Sequence, residues 1–269
     1  MRHRQRELSR LVGNKLMRTI LCHFYNEEYL LPFWLKHHRK FFDHGIMIDY
    51  DSTDGSVELI KELCPTWTVV KSRNRNFEAA AVDEEVMDIE AQITGTRICL
   101  NVTEFIIGDF SKSAEKVRGN ALEISAVVMV DKVGEQDGEI TDLITDRTNG
   151  VILQKNGDRM CRCMHEGEMK YSPGRHFVHG NTDDFLILWY GFSPWNEKAI
   201  KRKLQIQQRM TAHDIRLNRG LHHLTTRDKL QSLFLQHQQK SEDLSPIIRN
   251  ANIPGSGFAA QAVLGVQTK

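Results

Sequence analysis

No stretch of this chain approaches the ~18 consecutive apolar residues of a membrane span, and its first residues lack the apolar core of a secretory leader. Charge of one sign is equally scarce. The 36 basic residues against 35 acidic ones exclude a general polyanion binder, although the extreme amino terminus, Met1 to Arg6, is locally basic. The chain has five cysteines in 269 residues, an odd number that excludes a fully paired disulfide framework and suits reduced thiols in a cytoplasmic compartment. Gly-x-Gly-x-x-Gly and Gly-Lys-Ser/Thr are both missing, so neither a dinucleotide fingerprint nor a P-loop is written here. There is no repeat of fixed period. The sequon Asn101-Val102-Thr103 reads as accidental in such a compartment. What remains is an intracellular globular chain, cytoplasmic by expectation.

Strand-like and helix-like runs alternate through the first half. Thr19 to Tyr25 is short, apolar and partly β-branched, as a buried strand is. Glu27-Glu28 then opens a stretch with Leu31, Trp34, Leu35, His38 and Phe42 at helical spacing. Gly45 to Tyr50 is a second strand. Asp51-Ser52-Thr53-Asp54-Gly55-Ser56 is turn and cap chemistry, and the helix Val57 to Leu63 stops before Pro65. Trp67 to Val70, a helix over Phe77 to Ile93, and a fourth strand over Ile98 to Ile107 complete the pattern. This alternation predicts βαβ crossovers and a mainly parallel sheet, with ligands beyond the carboxyl ends of its strands. Three of those ends are polar or aromatic: His23 to Asn26, Asp49 to Asp51, and Asn101 to Glu104. The fourth strand breaks into an amide, a hydroxyl and a carboxylate in mid-core. This polar break reads as the lip of a site, with a bulged strand edge as the plain alternative.

Beyond residue 110 the pattern loosens. Leu122 to Val130, Val151 to Leu153, Met160 to Met164 and Asp184 to Tyr190 read as strands, and Gly134 to Gly150 as an acidic loop. From Asn196 the chain turns helical and basic. The expected organisation is a catalytic unit over 1–195, a helical carboxyl-terminal extension over 196–250, and a flexible tail over 251–269. The charged run Lys198 to Arg209 reads first as a solvated helix face.

The segment Ile20 to Ser56, "ILCHFYNEEYLLPFWLKHHRKFFDHGIMIDYDSTDGS", resembles the amino-terminal half of family 2-type GT-A glycosyltransferases. It is most similar to the subgroup with a strand ending in Asn-Glu-Glu and a second ending in Asp-x-x-Ser-Thr-Asp-Gly. The likeness is good over residues 18–110, weaker over Ser172 to His179, and faint afterwards. It implies a GT-A-like, Rossmann-like α/β fold: a mainly parallel sheet flanked by helices. It also implies a nucleotide-sugar donor, with a UDP-sugar the first choice, and transfer with inversion to a glycan, lipid-linked or protein acceptor, as in polysaccharide synthesis. Nucleic acid is not an expected partner; peripheral contact with the inner membrane face, or with a second copy, is left open.

Carried over by residue, the resemblance places His23 and Tyr25 beside the base, Asn26 as a brace of the first loop, and Asp49 on base or ribose. Asn101 and Thr103 fall where the family has two metal-linked aspartates, which leaves Glu104 as the only charged candidate ligand. Three alternatives follow. Glu104 alone holds Mn²⁺ or Mg²⁺ with the diphosphate; or the enzyme uses no metal, and cationic side chains neutralise the diphosphate; or activity is lost and the domain only binds a nucleotide or glycan, or serves as a scaffold. Residue type then singles out Cys161 to His179. Glu166 is the expected base with His165 behind it, and Arg175 and His176, with Lys170 as a further candidate, are the expected diphosphate cations. Cys161-x-Cys163-x-His165 looks like a fragment of a zinc site but has no second ligand pair. Among the aromatics Trp189, Tyr190, Phe192 and Trp195, core packing is weighed against stacking on a sugar ring.

Overall fold

The computed structural model describes residues 17–110, 117, 121–135, 138–153, 160–170, 174–176, 182, 184–251, 258–260 and 264. The basic amino-terminal run, Ser172, His179 and most of the expected tail lie outside the described residues.

Four parallel strands form one end of a ten-stranded sheet. β1 (Arg18–Phe24) lies between β2 (His44–Asp49) and β4 (Thr96–Cys99), and β3 (Thr68–Lys71) flanks β2, giving the order β4-β1-β2-β3. Their side chains alternate between two faces. Ile20, Cys22, Phe24 and Met47 pack with Leu31, Trp34 and Leu35 of α1 (Leu31–His38) and Ile60 of α2 (Ser56–Leu63). Leu21, Ile48 and Cys99 pack with Val86 of α3 (Ala79–Glu90). Each helix thus buries one stripe against one face of the sheet, the arrangement expected for βαβ units.

Past β4 the sheet continues through antiparallel β8 (Cys161–His165), then β6 (Ala121–Val130), β7 (Asn149–Val151) and β10 (Glu242–Asp243). β9 (Phe185–Phe192) runs parallel to β6 and antiparallel to β5 (Glu104–Gly108). The short α4 (Leu143–Asp146) precedes β7. The carboxyl-terminal region contributes α5 (Glu197–Gln205), a 3₁₀ turn (Ile206–Arg209), α6 (Ala212–Arg216), α7 (Arg227–Lys240) and α8 (Ser245–Ala251). α5 begins where the Asn196 side chain accepts from the backbone N–H groups of Lys198 and Ala199, at 3.0 and 3.2 Å. α7 is anchored by Phe234, whose ring stacks on Trp195 at 5.0 Å.

Two expectations need correction. The helix expected to open at Glu27-Glu28 begins at Leu31, because Pro32, with fixed φ and no N–H, belongs to a first turn. The strand expected over Ile98 to Ile107 is two strands. Glu104 N–H donates to the carbonyl of Asn101 at 2.9 Å, closing a turn that ends β4 and sends β5 to a different partner, β9.

Candidate functional site

β1, β2 and β4 all end at one edge of the sheet. The order β3-β2-β1-β4 places a topological switch point between β1 and β4, where the chain, having built outward on one side, returns to the other. His23, Tyr25, Asn26, Asp49 and Asn101 are all partly exposed along this edge. Burial, with Arg175 nearby, lowers the pKa of His23 to about 3, so its imidazole is neutral at physiological pH and offers a donor and an acceptor, not a charge.

The loops after β1 and β2 fasten to each other. Asn26, in the left-handed region at φ 50°, receives the Thr53 N–H on Oδ1 at 2.7 Å and gives its own N–H to Ser52 Oγ at 3.1 Å. Glu27 N–H donates to Ser56 Oγ and Glu28 N–H to Asp54 Oδ2, while Gly55 N–H returns to Glu28 Oε2. Asp49 Oδ1 accepts from Ser52 N–H at 2.9 Å. The Asn-Glu-Glu and Ser-Thr-Asp-Gly motifs are therefore two sides of one clasp that fixes the crevice floor. Asn26→Ala is expected to cost about 1 kcal/mol more than Asn26→Gly. Both lose the bond to Thr53, but only alanine also pays for the left-handed backbone; urea unfolding of the two variants measures the difference.

The polar break at Asn101 to Glu104 has a different explanation from the one its composition suggests. Glu104 is fully buried and its carboxylate points inward. Arg162 of β8 forks it, with Nε to Oε2 at 3.0 Å and Nη2 to Oε1 at 2.6 Å, and Asn101 adds its backbone N–H to Oε2 and its amide to Oε1. Asn101 Oδ1 in turn accepts from Arg175, which also pairs with Asp83 at 2.9 Å. Thr103 Oγ1 accepts from Trp189 Nε1 at 3.1 Å. These three side chains do not fit a divalent ion. Each Glu104 oxygen already takes two donors, the Asn101 carbonyl oxygen faces a guanidinium, and the Thr103 hydroxyl is bonded and buried.

His165 and Glu166 stand apart from the other expected site residues. β8 runs antiparallel to β4, with Arg97 opposite His165, so the Cys161 end of β8 meets the crevice and His165 lies at the amino edge of the sheet. Four residues of strand, about 13 Å, separate the two ends. His165 is fully buried with Glu90 at 3.4 Å. Strand direction thus carries Glu166, expected as base, and His165, expected as its support, away from the strand ends that hold Tyr25 and Asp49. His176 does lie near Arg162, and burial together with that arginine lowers its pKa.

Residues of the basic carboxyl-terminal run, read in sequence as a solvated face, pack instead on the loops that follow β1 and β2. Arg202 pairs with Glu27, and Gln205 donates to the carbonyl of Tyr25 at 2.9 Å. The Arg209 guanidinium lies 4.1 Å from the ring centroid of Tyr25 and 4.5 Å from that of Tyr50, and it donates to the carbonyls of Tyr50 and Arg75. Asp214, fully buried, accepts from the Ala79 N–H at the start of α3. The only sequence signal for these roles was the density of arginine, lysine and glutamine between 197 and 209. Nothing local distinguishes the inward residues from the outward ones. Among the aromatics, Tyr190 is core, with its hydroxyl donating to the carbonyls of Leu143 and Arg147, while Trp189 is partly exposed at the crevice side.

No protein-family model matches the sequence, and no curated protein matches it. Among solved structures, the chain is similar to residues 1–349 of S. aureus TarS in complex with UDP-GlcNAc, with a TM-score of 0.32 and 13% identity, over 56% of this chain and 45% of that one. It is also similar to glucosyl-3-phosphoglycerate synthase from Mycobacterium tuberculosis in complex with Mn²⁺, UDP and glucosyl-3-phosphoglycerate. There the TM-score is 0.30 and identity 13%, over 42% of this chain and 44% of that one. The match spans less than half the length of either solved chain.

Proposed function

We propose that the chain binds a nucleotide sugar across the carboxyl ends of β1, β2 and β4 and transfers the sugar to a hydroxyl of a glycan, lipid-linked or protein acceptor. The observation that carries this reading is the convergence of His23, Tyr25, Asp49 and Asn101 on one partly exposed edge at the topological switch point. A neutral histidine and two tyrosines suit a flat heteroaromatic base, and Asp49 suits ribose or base donors. Metal independence is part of the proposal, because Asn101, Thr103 and Glu104 are a poor donor set for Mn²⁺ or Mg²⁺.

A second reading, a binding domain without turnover, is favoured by the state of the nearby carboxylates. Glu27 is paired with Arg202, Asp83 with Arg175 and Glu104 with Arg162, so each is already committed to a cation. Thermal-shift titration with UDP-, GDP-, CMP- and dTDP-sugars, each in EDTA and in Mn²⁺, separates the readings. A UDP-sugar at a hundredfold its dissociation constant is expected to add about 2.7 kcal/mol, a shift of about 5–10 °C, with EDTA making no difference. Failure of every nucleotide sugar to shift the melt removes the proposal. Binding without release of the nucleotide from its sugar, even by hydrolysis, favours the second reading.

A further inference from the structure

The cations around the crevice are mostly spoken for. Arg162 forks Glu104, Arg175 holds Asp83 and Asn101, Arg202 pairs with Glu27, and Arg209 is fixed by two carbonyls and two tyrosine rings. Lys203 on α5 differs. Among the described residues it forms no ion pair, and its ammonium sits over the rings of Phe192 and Trp189, at 4.2 and 5.3 Å from their centroids. Trp189 is the residue that bonds Thr103 and pairs in register with Glu104, so this aromatic notch adjoins the turn that ends β4. On its other side Lys203 is next to Arg202, which reaches Glu27 after β1. Lys203 thus sits on the aromatic notch beside the turn that ends β4, on the helix whose Arg202 reaches the loop after β1.

Its surroundings leave the ammonium short of partners. Ring faces attract a cation but supply no oxygen or nitrogen acceptor for its hydrogen bonds. Burial and the charge of Arg202 pull its pKa down to about 7, against the opposing pull of Glu27. Burial lowers the pKa values of His222 and His223, and the nearby Lys203 charge adds a smaller push in the same direction. The residue as a whole is partly exposed. A phosphate oxygen arriving there would receive a charge-assisted hydrogen bond from a cation that forms no ion pair among the described residues.

We infer that Lys203 binds the diphosphate of a nucleoside-diphosphate ligand and takes the place of the divalent ion that Asn101, Thr103 and Glu104 do not fit. The inference rests on the nucleotide-sugar reading above. In the transfer, the bond between the anomeric carbon and the β-phosphate oxygen breaks, and its electron pair stays on that oxygen. The acceptor oxygen forms the new bond to the anomeric carbon and its proton passes to solvent. Lys203 would meet the charge left on the departing phosphate.

Calorimetry in EDTA with UDP, inorganic pyrophosphate and uridine tests this on the wild-type chain, Lys203→Met and Lys203→Arg, after urea unfolding has shown that each variant folds. Lys203→Met is expected to weaken UDP and pyrophosphate by about 10- to 100-fold and leave uridine unchanged, with Lys203→Arg retaining most of the affinity. A purely structural lysine would instead weaken all three ligands together or none. Equal UDP affinity in wild type and Lys203→Met overturns the inference and leaves the nucleotide-sugar reading in place. Diphosphate affinity that arises only when Mn²⁺ is added overturns it as well. Lys203-dependent pyrophosphate binding with no affinity for any nucleotide upholds the anion site and removes the nucleotide-sugar reading.

Discussion

Arg162→Met is expected to lower stability by about 3–5 kcal/mol, because it leaves the Glu104 carboxylate fully buried without its cation. For a chain of this size that is a fall in melting temperature of about 6–20 °C. The cost belongs to the orphaned charge more than to a strong attraction. A double variant, Arg162→Met with Glu104→Leu, should therefore recover part of the loss by replacing both partners with hydrocarbon. Recovery stays incomplete since the Asn101 backbone N–H, which donates to Oε2 at 2.8 Å, is then left without its acceptor. Circular-dichroism melts of the two variants read this directly, and a single variant that melts within 2 °C of wild type would falsify the buried pair.

Trp34→Ala should cost a similar amount, about 3–5 kcal/mol, through the cavity left in the main core. Trp34 is fully buried, meets Trp67 edge-on at 6.1 Å, and donates Nε1–H to the Glu104 carbonyl at 3.0 Å. It therefore ties α1 to the first residue of β5, immediately after the turn at the crevice lip. Trp34→Phe separates the two contributions. Most packing survives, while an unpaired carbonyl costs about 1–3 kcal/mol. Denaturant midpoints that are equal for the phenylalanine variant and wild type would show that the indole bond contributes nothing.

The parts of the fold legible in sequence are those decided locally. Thr19 to Tyr25 and Gly45 to Tyr50 are short apolar runs bounded by turn chemistry, and both are strands within a residue or two of expectation. The Asn-Glu-Glu and Ser-Thr-Asp-Gly motifs were legible as a pair, and the pair is a clasp. What could not be read depended on partners far along the chain. Glu104 reads as a site carboxylate until Arg162, 58 residues away, is found bonded to both its oxygens. Ile98 to Ile107 reads as one strand because hydrophobicity alone does not reveal that β5 pairs with β9. Residue type picked Glu166 and His165, yet an antiparallel strand next to a parallel set reverses which of its ends meets the site, and no local pattern encodes that direction. The run Lys198 to Arg209 hid its inward members for a related reason: a basic helix shows the same composition on either face, and only packing tells which one is buried.

The bonds that seal the crevice have a consequence for how the chain comes together. Gln205 reaches Tyr25 across 180 residues, Arg202 reaches Glu27 across 175, Arg209 reaches Tyr50 across 159, and Asp214 reaches Ala79 across 135. The clasp between the first two loops, by contrast, joins residues fewer than thirty apart. During synthesis the floor can form early, while its roof waits until residues 202–214 have left the ribosome. Until then an unfinished pocket, with two tyrosine rings and a carboxylate lacking its arginine, is open to whatever the nascent chain meets.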